Sequence, residues 1–227
     1  MRYAGALTST DYWKAPLPAA GTPDGSVEYR RLDAHDLDEE FTEGSYDLVF
    51  SSNMLEHIDD PQVVLAGVRH VLRDGGLSIH VMPSPFWKLA HLCLYPAARL
   101  RGIVRRVRAS GVRSRAFPTS GRDTNNPEAS TGIELFWPRP HGAGPNNRSE
   151  FRAFSRQRWR KEFTGAGFTV LAEIRGPVAS GYGFGLDTLR TWLERTGFTS
   201  EVIYVTRLRG GSPSPYESLL NPAPTAP

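Results

Sequence analysis

Residues 46–83, YDLVFSSNMLEHIDDPQVVLAGVRHVLRDGGLSIHVMP, decide the fold. Tyr46, Leu48, Val49 and Phe50 form a short, nearly continuous apolar run, the pattern of a strand covered on both faces. Ser51, Ser52 and Asn53 set small polar groups just past its carboxyl end. Asp60-Pro61 then starts a helix, an N-cap oxygen followed by proline at the first helical position. Val64, Val68, Val71 and Leu72 recur at helical spacing, so one face of that helix is buried. Asp74-Gly75-Gly76 is read as its stop, and Leu77 to Met82 is strand-like again. A strand–helix–strand unit of this length implies a right-handed crossover and a parallel sheet.

With Leu55-Glu56-His57 in the loop and Gly75-Gly76 before the second strand, this stretch resembles the class I S-adenosylmethionine-dependent methyltransferases of type 11. The match is to that family's fourth strand, the helix after it and its fifth strand. It is strong here and weaker over the rest of the chain. The resemblance implies a Rossmann-like α/β sheet, mostly parallel with an antiparallel last strand. It implies S-adenosylmethionine as cofactor and methyl transfer as the activity.

The 227 residues are 39% hydrophobic and 22% charged, which suits one globular domain with a core of its own. The net charge of +3 hides an uneven distribution. Twelve acids lie between Asp24 and Asp60 against only Arg30 and Arg31, whereas Gly75 to Arg122 holds no acid but Lys88 and eight arginines. A single cysteine, Cys93, excludes an internal disulfide and fits a reducing compartment. No apolar run approaches the roughly 20 residues that span a bilayer. No secretory apolar segment follows Met1, so a cytoplasmic protein is expected.

Arg2 to Leu7 reads as the opening strand, equivalent under the resemblance to the family's second. That strand usually ends in an acid bonding the cofactor ribose; here Asp11 is the candidate, lying a few residues late. The family's first strand and glycine-rich turn, where backbone approaches the cofactor closely, have no counterpart before it. The expectation is an N-terminally incomplete sheet, from a truncated chain in preference to a degenerate homologue. Val27 to Leu32 alternates as the next strand and ends in Asp33-Ala34-His35-Asp36-Leu37. By resemblance Asp33 accepts from the adenine amine and the Ala34 backbone bonds a ring nitrogen. An aspartate at a strand end is also a common turn residue. Ser51, Ser52 and Asn53 sit where open α/β sheets hold ligands, and are assigned to the sulfonium end and the methyl acceptor. His57 is a candidate general base, since its ordinary pKa needs little tuning, against a purely orienting role for the Glu56-His57 pair. No metal ligands are expected.

From Phe86 to Val107 the chain is aromatic, then basic and helical. Leu100, Ile103, Val104 and Val107 form an apolar stripe among arginines, which suits a helix packed on its own domain. The same pattern over residues 97–108 is that of a helix resting on anionic lipid. Gly111 to Arg148 reads as a long loop in which His141 is a second candidate base. Residues 86–150 are expected to be a variable cap over the substrate pocket. A helix opening at Phe154-Ser155 buries Trp159 and Phe163 and leads to strand Phe168–Ile174. Ser180 to Gly185 contains GxGxG, a weak signal better placed in a connection. Helix Leu186–Arg195 and an antiparallel edge strand at Val202–Val205 close a domain of residues 1–211, before a disordered proline-rich tail at 212–227.

The function implied is methyl transfer from S-adenosylmethionine to a small-molecule, sugar-linked or lipid-linked acceptor. The alternative is a methyltransferase-like scaffold that has lost its cofactor. Nucleic acid is not an expected partner, because few aromatics interleave the arginines, and the oligomeric state is not encoded legibly.

Overall fold

The structure is a computed structural model that describes residues 7–11, 27–110, 137–179 and 185–220, without the side chains of Leu7, Asp11, Val27, Tyr29 and residues 106–110. Expectations for 2–6, 15–25, 111–136, 180–184 and 221–227 fall outside it. The chain divides into two compact units. One comprises Met1–Val81, Trp159–Ile174 and Ile203–Pro227; the other comprises Met82–Arg158 and Arg175–Val202.

In the first unit β1 (Leu7–Asp11) and β2 (Val27–Arg31) pair in parallel, from Leu7 opposite Val27 to Asp11 opposite Arg31. Of the strand expected at 2–7, only Leu7 is among the described residues, and it opens β1. After β2 come a 3-10 turn at Ala34–Asp36 and the short helix α1 (Leu37–Glu40). Next are β3 (Tyr46–Ser52), α2 (Pro61–Val71) and β4 (Leu72–Pro83), with β3 parallel to β4. The Asp60 carboxylate accepts from Gln62 N at 3.0 Å, which caps α2 as its sequence demands. Val64, Val68 and Val71 are at most 2% exposed.

The helix ends at Val71, where Leu72 is already extended and paired with Tyr46. The register then jumps, Leu48 meeting Leu77. Asp74-Gly75-Gly76 thus forms a bulge inside β4 and does not stop the helix. Gly75 has φ +73°, and a Cβ on Gly76 would lie 2.9 Å from the Arg73 carbonyl oxygen, so both positions favour glycine.

The larger sheet is completed by β5 (Phe168–Arg175) and β6 (Glu201–Leu208), in the order β3-β4-β6-β5. Ser78 bonds Thr206 and Ser84 N bonds Ser200 O, so β6 runs antiparallel to β4. The last strand is antiparallel but internal, and β5 takes the edge instead. Helix α5 (Arg156–Gly165) buries Trp159 and Phe163 completely, and Phe163 lies 5.2 Å from Tyr204 on β6. Each such ring removes enough apolar surface from water to contribute about 2–3 kcal/mol.

Two further expectations are corrected. Strand β3 is not covered on both faces: Leu48 is 52% and Phe50 62% exposed. The sheet is broken here, because β1 and β2 form a separate two-stranded sheet. A groove of about 400 Å³ lies between β1 and β3, lined by Thr8, Thr10, Tyr46, Leu48 and Phe50 among others. Residues 212–220, assigned by composition to the disordered tail, hold defined contacts. Ser212 donates through its backbone and hydroxyl to the Asp74 carboxylate (2.7 and 2.6 Å), and Ser214 is buried.

In the second unit α3 (Pro85–Ser110) starts where Ser84 Oγ accepts from Trp87 N at 3.1 Å. Helix α4 (Asn147–Ala153), which begins at the end of the segment read as loop, is fixed by a capping box between Asn146 and Ser149. Helix α6 (Asp187–Arg195) follows. Among the described residues no helix is long and apolar enough to cross a membrane.

Candidate functional site

Parallel pairing of β1 with β2 sets Asp11, the last residue of β1, opposite Arg31, the last of β2. Asp11, which the spacing put a few residues late, is the last residue of the strand itself. The Tyr46 hydroxyl donates to Thr8 Oγ1 at 3.1 Å, so β3 begins beside the start of β1. The groove between them is lined by Thr8, Ser9 and Thr10 on one side and by Tyr46, Leu48, Val49 and Phe50 on the other. Asp11 ends β1, the Asp33 turn follows β2, and Ser51 to Asn53 lie at and just past the end of β3; carboxyl ends of strands are where open parallel sheets hold ligands.

Asp33 caps the 3-10 turn. Its Oδ1 accepts from His35 N at 3.0 Å and lies 2.7 Å from His35 Nδ1. The backbone bond, then the side-chain bond, holds its carboxyl below the usual 3.8. The group is anionic and 38% exposed. The turn uses one oxygen, and a carboxylate with about four lone-pair sites retains capacity for a ligand. Ala34 opens the turn, and Gly67 of α2 approaches Leu37 so closely that a Cβ there would lie 2.9 Å from Leu37 Cβ. That contact sets the segment after β2 against α2.

Ser51 and His80 are partners in the β3–β4 register, and Ser51 Oγ lies 2.7 Å from His80 Nδ1. His80 is fully buried and its ring stacks on Phe163 at 5.1 Å. Burial holds its pKa down to about 4, so the imidazole is neutral. The Ser51 hydroxyl is thus engaged with the interior, whereas Ser52 and Asn53 are exposed. Asn53 has φ +48°, a left-handed turn that asparagine tolerates, and its N donates to Val81 O at 2.9 Å. Beyond it a 3-10 turn at Leu55–His57 buries Glu56 and leaves His57 exposed, with Nε2 3.8 Å from Glu56 Oε1.

His141 belongs to the second unit. Its backbone N and that of Gly142 donate to Glu150 Oε1 at 2.5 and 2.6 Å, and its ring lies 4.7 Å from that of Trp87. Glu150 also pairs with Lys88, both side chains being fully buried. His91 lies on the same helix as Lys88 and has its pKa lowered to about 4, by burial first and then by Lys88 and His141.

Two features escaped sequence reasoning. His80 was readable as a titratable group inside a strand buried on both faces. The Lys88–Glu150 pair carried no signal, since 62 positions of sequence separate an ordinary helical lysine from an ordinary glutamate.

Residues 1–80 match the methyltransferase domain family. Over 74 residues the chain is 38% identical to the ubiquinone biosynthesis O-methyltransferases of Pseudomonas savastanoi pv. phaseolicola and Pseudomonas syringae pv. syringae. That alignment covers 31% of this chain and 32% of each relative, so the chain spans about a third of the length of the curated relatives it matches. A Listeria monocytogenes structure assigned as an S-adenosylmethionine-dependent methyltransferase superposes with a TM-score of 0.50 at 15% identity, over 91% of this chain and 81% of that one. This likeness carries the fold.

Proposed function

We propose that this chain, which has the class I S-adenosylmethionine-dependent methyltransferase fold, transfers a methyl group from that cofactor to a small-molecule, sugar-linked or lipid-linked acceptor. The observation that carries the reading is the parallel pairing of β1 with β2, which sets Asp11 at the end of one strand beside the strand end that leads into Asp33. The residues fit the cofactor: Asp33 is anionic and half exposed, with bond-accepting capacity left beyond its own turn.

S-adenosylmethionine supplies an electrophilic methyl group on a sulfonium. Asp33 would hold the adenine amine, the Ala34 N–H a ring nitrogen, Asp11 the ribose hydroxyls, and Ser52 with Asn53 the methionine end. Ser51 acts through its bond to His80, which fixes the tip of β3. Holding an acceptor in line and excluding water supplies several kcal/mol of barrier reduction, so a strong base is not required. Where the acceptor carries a proton, His57 beside Glu56 is the group to receive it.

A second reading is favoured by one observation. The groove beside β1 leaves Leu48 and Phe50 uncovered next to the proposed cofactor end, as expected of a scaffold that no longer binds cofactor. Isothermal titration with S-adenosylhomocysteine separates the two. Saturable heat supports the enzyme, and its absence from a folded chain supports the scaffold.

A further inference from the structure

The outward face of α3 is apolar over four turns. Leu89, Cys93, Ala97, Leu100 and Val104 are all exposed, and their spacing of four, four, three and four draws one stripe along the helix. Ile103 joins it; Leu100, Ile103 and Val104 are 61%, 42% and 40% exposed. From Leu89 to Val104, fifteen rises of about 1.5 Å make the stripe roughly 22 Å long.

The opposite face is occupied. Lys88 is buried against Glu150, and Trp87 stacks on His91 at 5.1 Å. His91 lies 5.9 Å from Tyr95, whose ring sits 6.0 Å from the Arg99 guanidinium. The reading of Leu100, Ile103 and Val104 as the side that packs on the domain is thus overturned. The charged side chains contributed by this stretch of chain are basic: residues 75–122 hold Lys88 and eight arginines without an acid, and Arg101 and Arg105 are exposed.

We propose that α3 is a docking surface for an anionic lipid bilayer. The helix lies in the plane of the interface, with its stripe about 5–10 Å into the headgroup–acyl boundary and its guanidinium groups on lipid phosphates. Charge complementarity selects this occupant. Exposed leucine, isoleucine and valine gain nothing from a nucleic acid's phosphates, and an apolar groove on a protein has no need of arginines alone. The proposal stands independently of methyl transfer.

The test uses the full chain and its single cysteine. Cys93 is exposed on the stripe, so an environment-sensitive fluorophore attached there reports insertion directly. Vesicles of phosphatidylcholine mixed with phosphatidylglycerol should shift its emission to the blue and co-sediment the protein; phosphatidylcholine alone should do so far more weakly. The double variant Leu100→Gln/Val104→Gln changes no charge and touches exposed positions, so its circular dichroism should match the parent. Its affinity for the mixed vesicles should fall by about tenfold or more. Arg101→Gln/Arg105→Gln should remove much of the preference for anionic lipid and its salt sensitivity. Failure to bind mixed vesicles at low salt overturns the proposal, as does binding that the Leu100→Gln/Val104→Gln variant retains. So does a concentration-dependent dimer, or tight binding of an RNA oligonucleotide, that replaces vesicle binding.

Discussion

Ser51 Oγ and His80 Nδ1 meet 2.7 Å apart on adjacent parallel strands, with the imidazole fully buried and stacked on Phe163. A hydroxyl at the tip of β3 is thereby tied to a neutral ring in the core. The carboxyl end of β3 is built from behind by a group that must not carry charge.

That relationship predicts an acid-sensitive fold. His80 titrates near 6.5 when unfolded and near 4 when buried, so below 6.5 the unfolded chain takes up a proton that the native state refuses. Stability should be full above pH 6.5 and fall towards pH 4, by an amount on the order of 3 kcal/mol at the lower end. Urea unfolding across that range should show a flatter pH dependence for His80→Gln. His91, partly buried and also near 4, supplies a smaller part of the slope. An identical slope in His80→Gln would assign the effect elsewhere.

Lys88 and Glu150 form a fully buried ion pair, with Glu150 also accepting from two backbone N–H groups. Lys88→Met leaves a buried carboxylate without its cation and should cost about 3–5 kcal/mol in urea unfolding. Lys88→Met/Glu150→Gln keeps an oxygen for His141 N and Gly142 N, so it should lose much less than the single variant. Equal losses in the two would mean that the charge is not what matters.

The central unit was legible because its signals are local. The N-cap at Asp60, the helical spacing of Val64, Val68 and Val71, and the rings Trp159 and Phe163 each follow from neighbours in sequence. What sequence concealed depends on distant partners. The pairing of Leu72 with Tyr46 turns a glycine stop into a bulge. The contacts of Ser212 with Asp74 order a segment whose composition reads as a tail. Exposure of Leu48, Phe50 and Leu100 was equally hidden, since an apolar run does not say whether anything covers it. At the site, the end of β2 and the Asp33 turn were readable, but the position of Asp11 required the pairing of β1 with Arg31.

Gly67 should resist substitution although it lies inside a helix. Alanine there gains about 1 kcal/mol of helix propensity but sets a Cβ 2.9 Å from Leu37 Cβ. Overpacking of about 1–3 kcal/mol should win, lowering the thermal midpoint of Gly67→Ala. Because Leu37 follows the Asp33 turn, the same variant should bind S-adenosylhomocysteine more weakly. A raised midpoint would show that α1 moves aside freely.

Asp33→Ala should weaken S-adenosylhomocysteine binding by about tenfold or more, as removal of a charged hydrogen bond does. Asp33 stays ionised well below neutral pH, because His35 holds its carboxyl down. Binding should therefore show no titration of this group near neutrality. An unchanged dissociation constant in calorimetry would remove Asp33 from the site.

Amide hydrogen exchange of the whole chain, with and without saturating S-adenosylhomocysteine, tests the shared strand-end pocket most directly. The account predicts that the ligand slows exchange in residues 32–36 and 51–54 together, at a common ligand concentration. Protection confined to one of these segments, or appearing in neither, would contradict it.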